Sequence, residues 1–146
     1  MSGGRPAPTG LRLLAEDEED LKILSAAVQD SILRLGDLNF DARGRAFTAA
    51  LNRFRWEGER PERVRAMLRF DGVLAARSQN LRQGADEAIV DLLAVEFAPG
   101  EPPGGDIRLI LAGGGEMRLA VEQIEARLMD VSDPWPARRR PEHGDG

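Results

Sequence analysis

The chain has 146 residues, a formal net charge of −5, nineteen arginines against one lysine, one histidine, and neither cysteine nor tyrosine. Disulfides, thiolate metal sites, cysteine nucleophiles and histidine metal clusters are thereby excluded, the lack of cysteine fits a reducing compartment, and the length suits one domain burying about 68–70% of its unfolded surface. Residues 43–82 hold ten arginines and four acids, a balance of +6 that leaves −11 elsewhere, so this is an acidic chain with a basic middle rather than the uniformly basic domain of most nucleic-acid binders.

Residues 1–10 are rich in Gly and Pro and read as a disordered tail. They contain no apolar core of a signal peptide, and no apolar run approaches the ~20 residues that span a bilayer; the expectation is a cytoplasmic protein with no membrane contact. Leu11 to Leu14 reads as a first strand. Asp17 can cap a helix whose first-turn acids suit the positive end of the helix dipole. Leu21, Leu24 and Val28 fall on one face, predicting a helix over Glu18–Gln29. The acidic run Glu16–Asp20 could be taken for a metal site, but consecutive acids point all round a helix and do not converge.

Asp30 to Glu57 reads as two long strands folded back at Asp41-Ala42-Arg43-Gly44, a turn with Asp at its start and Gly at its end. Leu33 and Leu35 are odd while Leu38 and Phe40 are even, so Gly36 marks a bulge or bend. On the return arm Phe47, Ala49 and Leu51 are odd while Phe54 and Trp56 are even, which predicts a second irregularity near Asn52. From Arg63 to Phe70 the alternation is clean: Val64, Ala66, Leu68 and Phe70 face one way, and Arg63, Arg65, Met67 and Arg69 the other. Asp71-Gly72 predicts a tight hairpin into Val73–Ser78, followed by a polar loop.

Residues 88–97 are nearly continuous apolar, as expected of a central strand covered on both faces, although period alone does not separate this from a buried helix. A Pro/Gly loop follows at 98–105. Ile107, Leu109 and Leu111 then pair with Met117, Leu119 and Val121 around Gly113-Gly114-Gly115. Residues 122–131 fit a helix or a strand, and the nearby sheet favours a strand. Asp133-Pro134-Trp135-Pro136 ends the ordered chain, with 136–146 a disordered tail. Together these elements predict an α+β fold, residues 11–135: a mainly antiparallel, strongly curved sheet of hairpins with one N-terminal amphipathic helix packed on it.

No catalytic residue, metal site or cofactor emerges. The triple glycine lacks the phosphate-loop pattern and lies between alternating strands, so it reads as a turn. None of the five serines lies in G-x-S-x-G, and His143 stands alone near the C-terminus. A carboxylate pair acting with Mg²⁺ stays open, because twenty-five acids offer many pairs and no spacing singles one out. The basic middle is the surface of interest. Arg53 and Arg55 share a face of one strand, and Arg63, Arg65 and Arg69 that of another. With Trp56 and Trp135 they are the candidate binding residues, an arginine–aromatic face for an acidic protein or RNA. The plainer reading is a solvated sheet face ion-paired with nearby acids.

Three stretches carry a family likeness. They are Leu11-Arg12-Leu13-Leu14-Ala15-Glu16-Asp17-Glu18-Glu19-Asp20-Leu21, Leu51-Asn52-Arg53-Phe54-Arg55-Trp56-Glu57, and the ending from Asp133-Pro134-Trp135 through Pro141-Glu142-His143. The chain resembles, over about Leu11 to His143, an uncharacterised bacterial family catalogued as domain of unknown function 2948. The resemblance implies no activity, substrate or catalytic residue. Three functional expectations follow: a non-catalytic binding or accessory domain, a carboxylate- and Mg-dependent enzyme, or a self-associating structural domain that forms homo-oligomers.

Overall fold

The computed structural model describes residues 10–81 and 84–138; of the expected tails at 1–10 and 136–146, residues 1–9 and 139–146 lie outside them. The first strand is β1 (Arg12–Ala15) and the only helix among the described residues is α1 (Glu18–Val28). Asp17 caps α1 by accepting from the Asp20 N–H at 2.8 Å, and Glu18, Glu19 and Asp20 occupy its first turn. Leu21, Leu24 and Val28 are buried, which is the stripe their spacing requires. Asp30, with φ of 62°, turns the chain out of the helix.

The remaining strands are β2 (Ser31–Arg34), β3 (Leu38–Asp41), β4 (Ala46–Phe54), β5 (Glu62–Asp71), β6 (Val73–Gln79), β7 (Ile89–Pro99), β8 (Gly105–Leu111), β9 (Glu116–Val121), β10 (Ala126–Asp130) and β11 (Trp135–Pro136). They form one antiparallel sheet in the order β1-β10-β5-β4-β2-β7-β8-β9-β6, with β3 on β4 and β11 on β5. The expected α+β architecture is therefore what forms, and the sheet does not close into a barrel. Residues 122–131 contribute a strand.

The sheet curls because consecutive strands lie far apart in its order. Only Gly72 separates β5 from β6 in the chain, yet five strands lie between them in the sheet. The β5–β10 ladder hands over to the β6–β9 ladder at one corner. There the Asp71 N–H bonds Glu125 C=O at 2.9 Å, the Glu122 N–H bonds Gly72 C=O at 3.0 Å, and the Val73 N–H bonds Arg45 C=O at 2.9 Å. Both ladders turn their apolar sides onto one core, which gathers Phe47 and Leu51 from β4, Leu68 and Phe70 from β5, Leu109 from β8, Leu119 from β9 and the α1 stripe.

Three expectations change and one is narrowed. Asp71-Gly72 is a corner rather than a hairpin: a glycine at positive φ serves either, and the alternation beside it is the same in both cases. Of the bulge or bend expected at Gly36, it is a bend that forms, in a short 3₁₀ turn, Leu35–Asp37. That turn lets β2 leave the arm and pair mainly with β7 while β3 stays on β4. No irregularity occurs near Asn52, since the β4–β5 register runs unbroken from Ala46↔Asp71 to Phe54↔Arg63. And β7 is covered on one face only, leaving Ile89 and Leu93 exposed. Order also extends past Trp135: Pro136 pairs with Glu62, and the Ala137 N–H bonds Pro61 C=O at 2.8 Å.

The corner yields a stability prediction. Gly72 has φ of 68°, and a Cβ there would come no closer than 3.4 Å to the flexible Glu122 carboxylate, so the strain of a side chain is in the backbone alone. Gly72→Ala should cost about 1–2 kcal/mol and Gly72→Asn less. The check is the urea midpoint at unchanged m-value; an alanine variant as stable as the parent would show that the corner does not need the left-handed residue.

Candidate binding face

Directly opposed residues of an antiparallel ladder project to the same side of the sheet, so the register fixes which side chains share the outer face of β4, β5, β10 and β1. One row joins Thr48, Arg69, Arg127 and Leu14; the next joins Ala50, Met67, Met129 and Arg12. Below them Asn52 opposes Arg65, and the Val131 N–H bonds Arg65 C=O at 2.8 Å, which adds Val131 to that row. The last row is Phe54, Arg63 and Trp135. A depression of about 230 Å³ opens between β1 and β10, lined in part by Arg12, Leu14, Arg127 and Met129.

Of the expected binding residues, Arg63, Arg65, Arg69 and Trp135 come together here. Arg69 pairs with Asp71 at 2.9 Å, and Arg127 reaches the same carboxylate at 3.5 Å. Arg65 donates to Asn52 Oδ1 at 3.1 Å and lies 3.5 Å from Asp37. Arg63 donates to Asn52 C=O at 3.1 Å and stacks over the Phe54 ring, 5.8 Å from its centroid. Burial pushes the Arg63 guanidinium below its ordinary range, with Asp91 and Asp30 partly opposing. Trp56 sits at the end of this row, half-buried: its ring meets Phe54 edge-on at 4.7 Å and its indole N–H donates to Gln29 C=O at 2.9 Å.

Arg53 is on the other side. It occupies the inward position that follows Phe47, Ala49 and Leu51, and it is 0% exposed, so it cannot meet a partner. Its five N–H groups are all engaged. Nε and Nη2 grip Asp130 at 2.8 and 2.9 Å, Nη1 and Nη2 grip Glu57 at 3.0 and 2.6 Å, and Nη1 also bonds Phe54 C=O at 3.2 Å. Asp130, whose side chain is 4% exposed, accepts in addition from the Leu11 N–H at 2.9 Å. Burial pushes Arg53 down, but the hydrogen bonds to Asp130 and Glu57 and their charges outweigh it and hold the guanidinium above its usual range. Burial likewise pushes Glu57 up, and the Arg53 hydrogen bond and charge more than reverse it. Arg55 joins this acidic side as well, paired with Glu62 and 3.6 Å from Glu57.

The carboxylate reading meets this same cluster. Asp130 and Glu57 are two acids that converge, but they converge on a guanidinium that uses their oxygens. Among the described residues no three acidic or histidine side chains gather as a metal would need. Sequence reasoning missed Arg12, Leu14, Arg127, Met129 and Val131. The alternation of Arg127 and Met129 with buried Ala126 and Leu128 was a local signal that these side chains face outward; nothing local placed them beside Arg69 and Met67.

A family model described as "Protein of unknown function (DUF2948)" matches residues 11–143, and the chain belongs to that family. No curated protein and no solved structure matches it.

The Arg53 cluster gives two predictions. Arg53→Met leaves Asp130 buried without its countercharge and should cost about 3–5 kcal/mol, most of it recovered in Arg53→Met/Asp130→Leu; a loss no larger than that of Arg69→Met would contradict the burial. Glu57 titrates below its unfolded value of about 4.3, so the folded state binds fewer protons than the unfolded one. Its contribution is complete above that pH and is lost as pH falls through the native-state value. Thermal melts of Glu57→Gln between pH 6 and pH 3 should therefore fall less steeply with acid than the parent's.

Proposed function

We propose that this chain is a non-catalytic binding module that holds an acidic protein partner against the outer face of β1, β10, β5 and β4. One observation carries the reading. Of the eight exposed large apolar side chains among the described residues, four lie on this single face: Leu14, Met129, Val131 and Trp135. They alternate there with Arg12, Arg65, Arg69 and Arg127. Exposed large apolar side chains gathered on one face and rimmed by polar groups suit a contact site. Arginine, methionine and tryptophan are the residues that protein interfaces enrich, and lysine, glutamate and aspartate those they deplete.

Charge selects the partner. The acids beside the face, Asp71 and Asp37, are held by its own arginines, while Arg12 makes no ion pair among the described residues. An acidic surface complements this pattern, whereas a second copy presenting the same face would set arginine against arginine. Base recognition on a sheet needs open aromatic faces. Here the centre of the face presents methionine, and Trp56 is engaged with Phe54 and Gln29. No helix among the described residues is long and apolar enough to cross a membrane, and the absence of cysteine suits a reducing cytoplasmic setting.

A photo-crosslinking residue placed at Met129 should capture a discrete protein from the native cell extract, and the same residue at Ile89 should not. Arg65→Glu/Arg127→Glu should weaken that complex at least about tenfold, ~1.4 kcal/mol, with the loss largest at low salt. Equal capture at both positions would overturn the reading, and so would capture abolished by ribonuclease.

A further inference from the structure

β7 is eleven residues long, but β2 pairs with only its first part, Ile89 to Leu92. Beyond Leu92 that edge of β7 faces α1. The hydrogen-bonding phase there is fixed from both sides. Gly100 N–H bonds Gly104 C=O at 3.0 Å, so on the alternating antiparallel ladder Ala98, Glu96 and Ala94 turn their peptide groups toward β8, and Phe97 and Val95 turn theirs away. Val95 N–H accordingly donates to the Ser25 hydroxyl of α1 at 2.9 Å. A side-chain oxygen thus stands where a neighbouring strand would offer a carbonyl. Next along, the Val95 C=O and both peptide groups of Phe97 have no hydrogen-bond partner among the described residues on that side.

These groups line a groove of about 370 Å³ between the helix and the strand, with Leu21, Ser25, Ala94, Val95 and Phe97 among its walls. The volume falls within the range of ordinary binding clefts. Lys22, the chain's one lysine, stands at its rim and makes no ion pair among the described residues. Of the two acids at the rim, Glu96 lies 3.5 Å from Arg108, whose hydrogen bonds go to Glu116; Glu18 is one helical turn before Lys22.

We propose that this groove binds an extended peptide of a partner protein, which adds as a strand to β7 beside α1 and places an acidic side chain against Lys22. Strand addition draws affinity from main-chain hydrogen bonds and selectivity from alternate side chains. The Val95 C=O and the two peptide groups of Phe97 provide the first, and Lys22 with Glu18 provides the second. Glu18 repels an acidic residue at its own end of the groove, so the pair also sets the direction in which the peptide lies. The groove is separate from the arginine face and does not depend on it.

The test uses a random nonapeptide library displayed on phage and panned against the full chain. Enriched sequences should alternate apolar and polar residues and carry one Asp or Glu at a fixed place. A synthetic peptide of the enriched sequence should shift the amide resonances of Val95 and Phe97 and slow hydrogen exchange at Phe97. Methylating its groove-facing backbone nitrogens should abolish binding, while methylating the alternate ones should leave it intact. Lys22→Glu should weaken it about fivefold, whereas Arg65→Glu/Arg127→Glu should bind it unchanged. An unenriched library would overturn the proposal, as would binding indifferent to Lys22→Glu or shifts confined to the edge of β6.

Discussion

The fold turns on a guanidinium that has been taken completely out of water. A buried arginine is tolerable only when each of its donors has an acceptor and its charge is balanced nearby. Arg53 meets that condition with acceptors from three places in the chain: Phe54 beside it, Glu57 one short turn on, and Asp130, seventy-seven residues later. The same Asp130 receives the Leu11 N–H, and Leu11 C=O accepts the Asp130 N–H in return. One ionic knot therefore fastens the start of β1, the end of β10 and the end of β4. These strands are neighbours or near-neighbours in the sheet, and the knot reinforces the register that their buried faces already specify.

The arginine–methionine face follows from that fixed register. With Asp130 pinned beneath the sheet, Met129 and Arg127 must project above it, and β1 must lay Arg12 and Leu14 beside them. The corner at Gly72 does the rest, because it carries the chain from β5 to the far margin of the sheet and leaves β5 free to accept β10 on its open side. Had Asp71-Gly72 made a hairpin, β6 would have taken that position and the exposed side of β5 would have carried a different neighbour.

Much of this was legible in the residues. The cap at Asp17 and the spacing of Leu21, Leu24 and Val28 specify α1, and the alternation from Arg63 to Phe70 specifies β5 and places Arg63, Arg65 and Arg69 on one side. What failed was the treatment of Arg53. The odd phase of Phe47, Ala49 and Leu51 already pointed Arg53 inward, and the reading broke that phase because Phe54 and Trp56 are apolar and arginine is expected outside. Phe54 is in fact buried on the outer side, under Arg63 and against Trp56, so β4 is covered on both faces at that end. No local pattern announces a countercharge seventy-seven residues away. The same holds for Arg127 beside Arg69 and Arg12 beside Met129, places that depend on strand pairing between distant segments, and for Gly72, whose positive φ suits a corner as well as a turn.

The geometry of the face also bears on what kind of contact it favours. Flexible surface arginines lose rotamer freedom when a partner immobilises them, and that loss is subtracted from affinity. Here Arg69 is already tied to Asp71, Arg65 to Asn52 and Asp37, and Arg63 to two carbonyls and the Phe54 ring. They stand on a sheet whose two middle strands, β5 and β10, are paired on both sides. These three arginines have little left to order on binding. The tethers also partly neutralise the charge they hold, so the carboxylates of the proposed partner would compete with Asp71 and Asp37 for the same donors. The balance favours a partner that supplies several acids together with an apolar patch to cover Met67, Met129 and Leu14, over one that supplies charge alone. A polyanion without apolar surface gains only the first term and forgoes the second, which is the larger of the two once the methionines are desolvated.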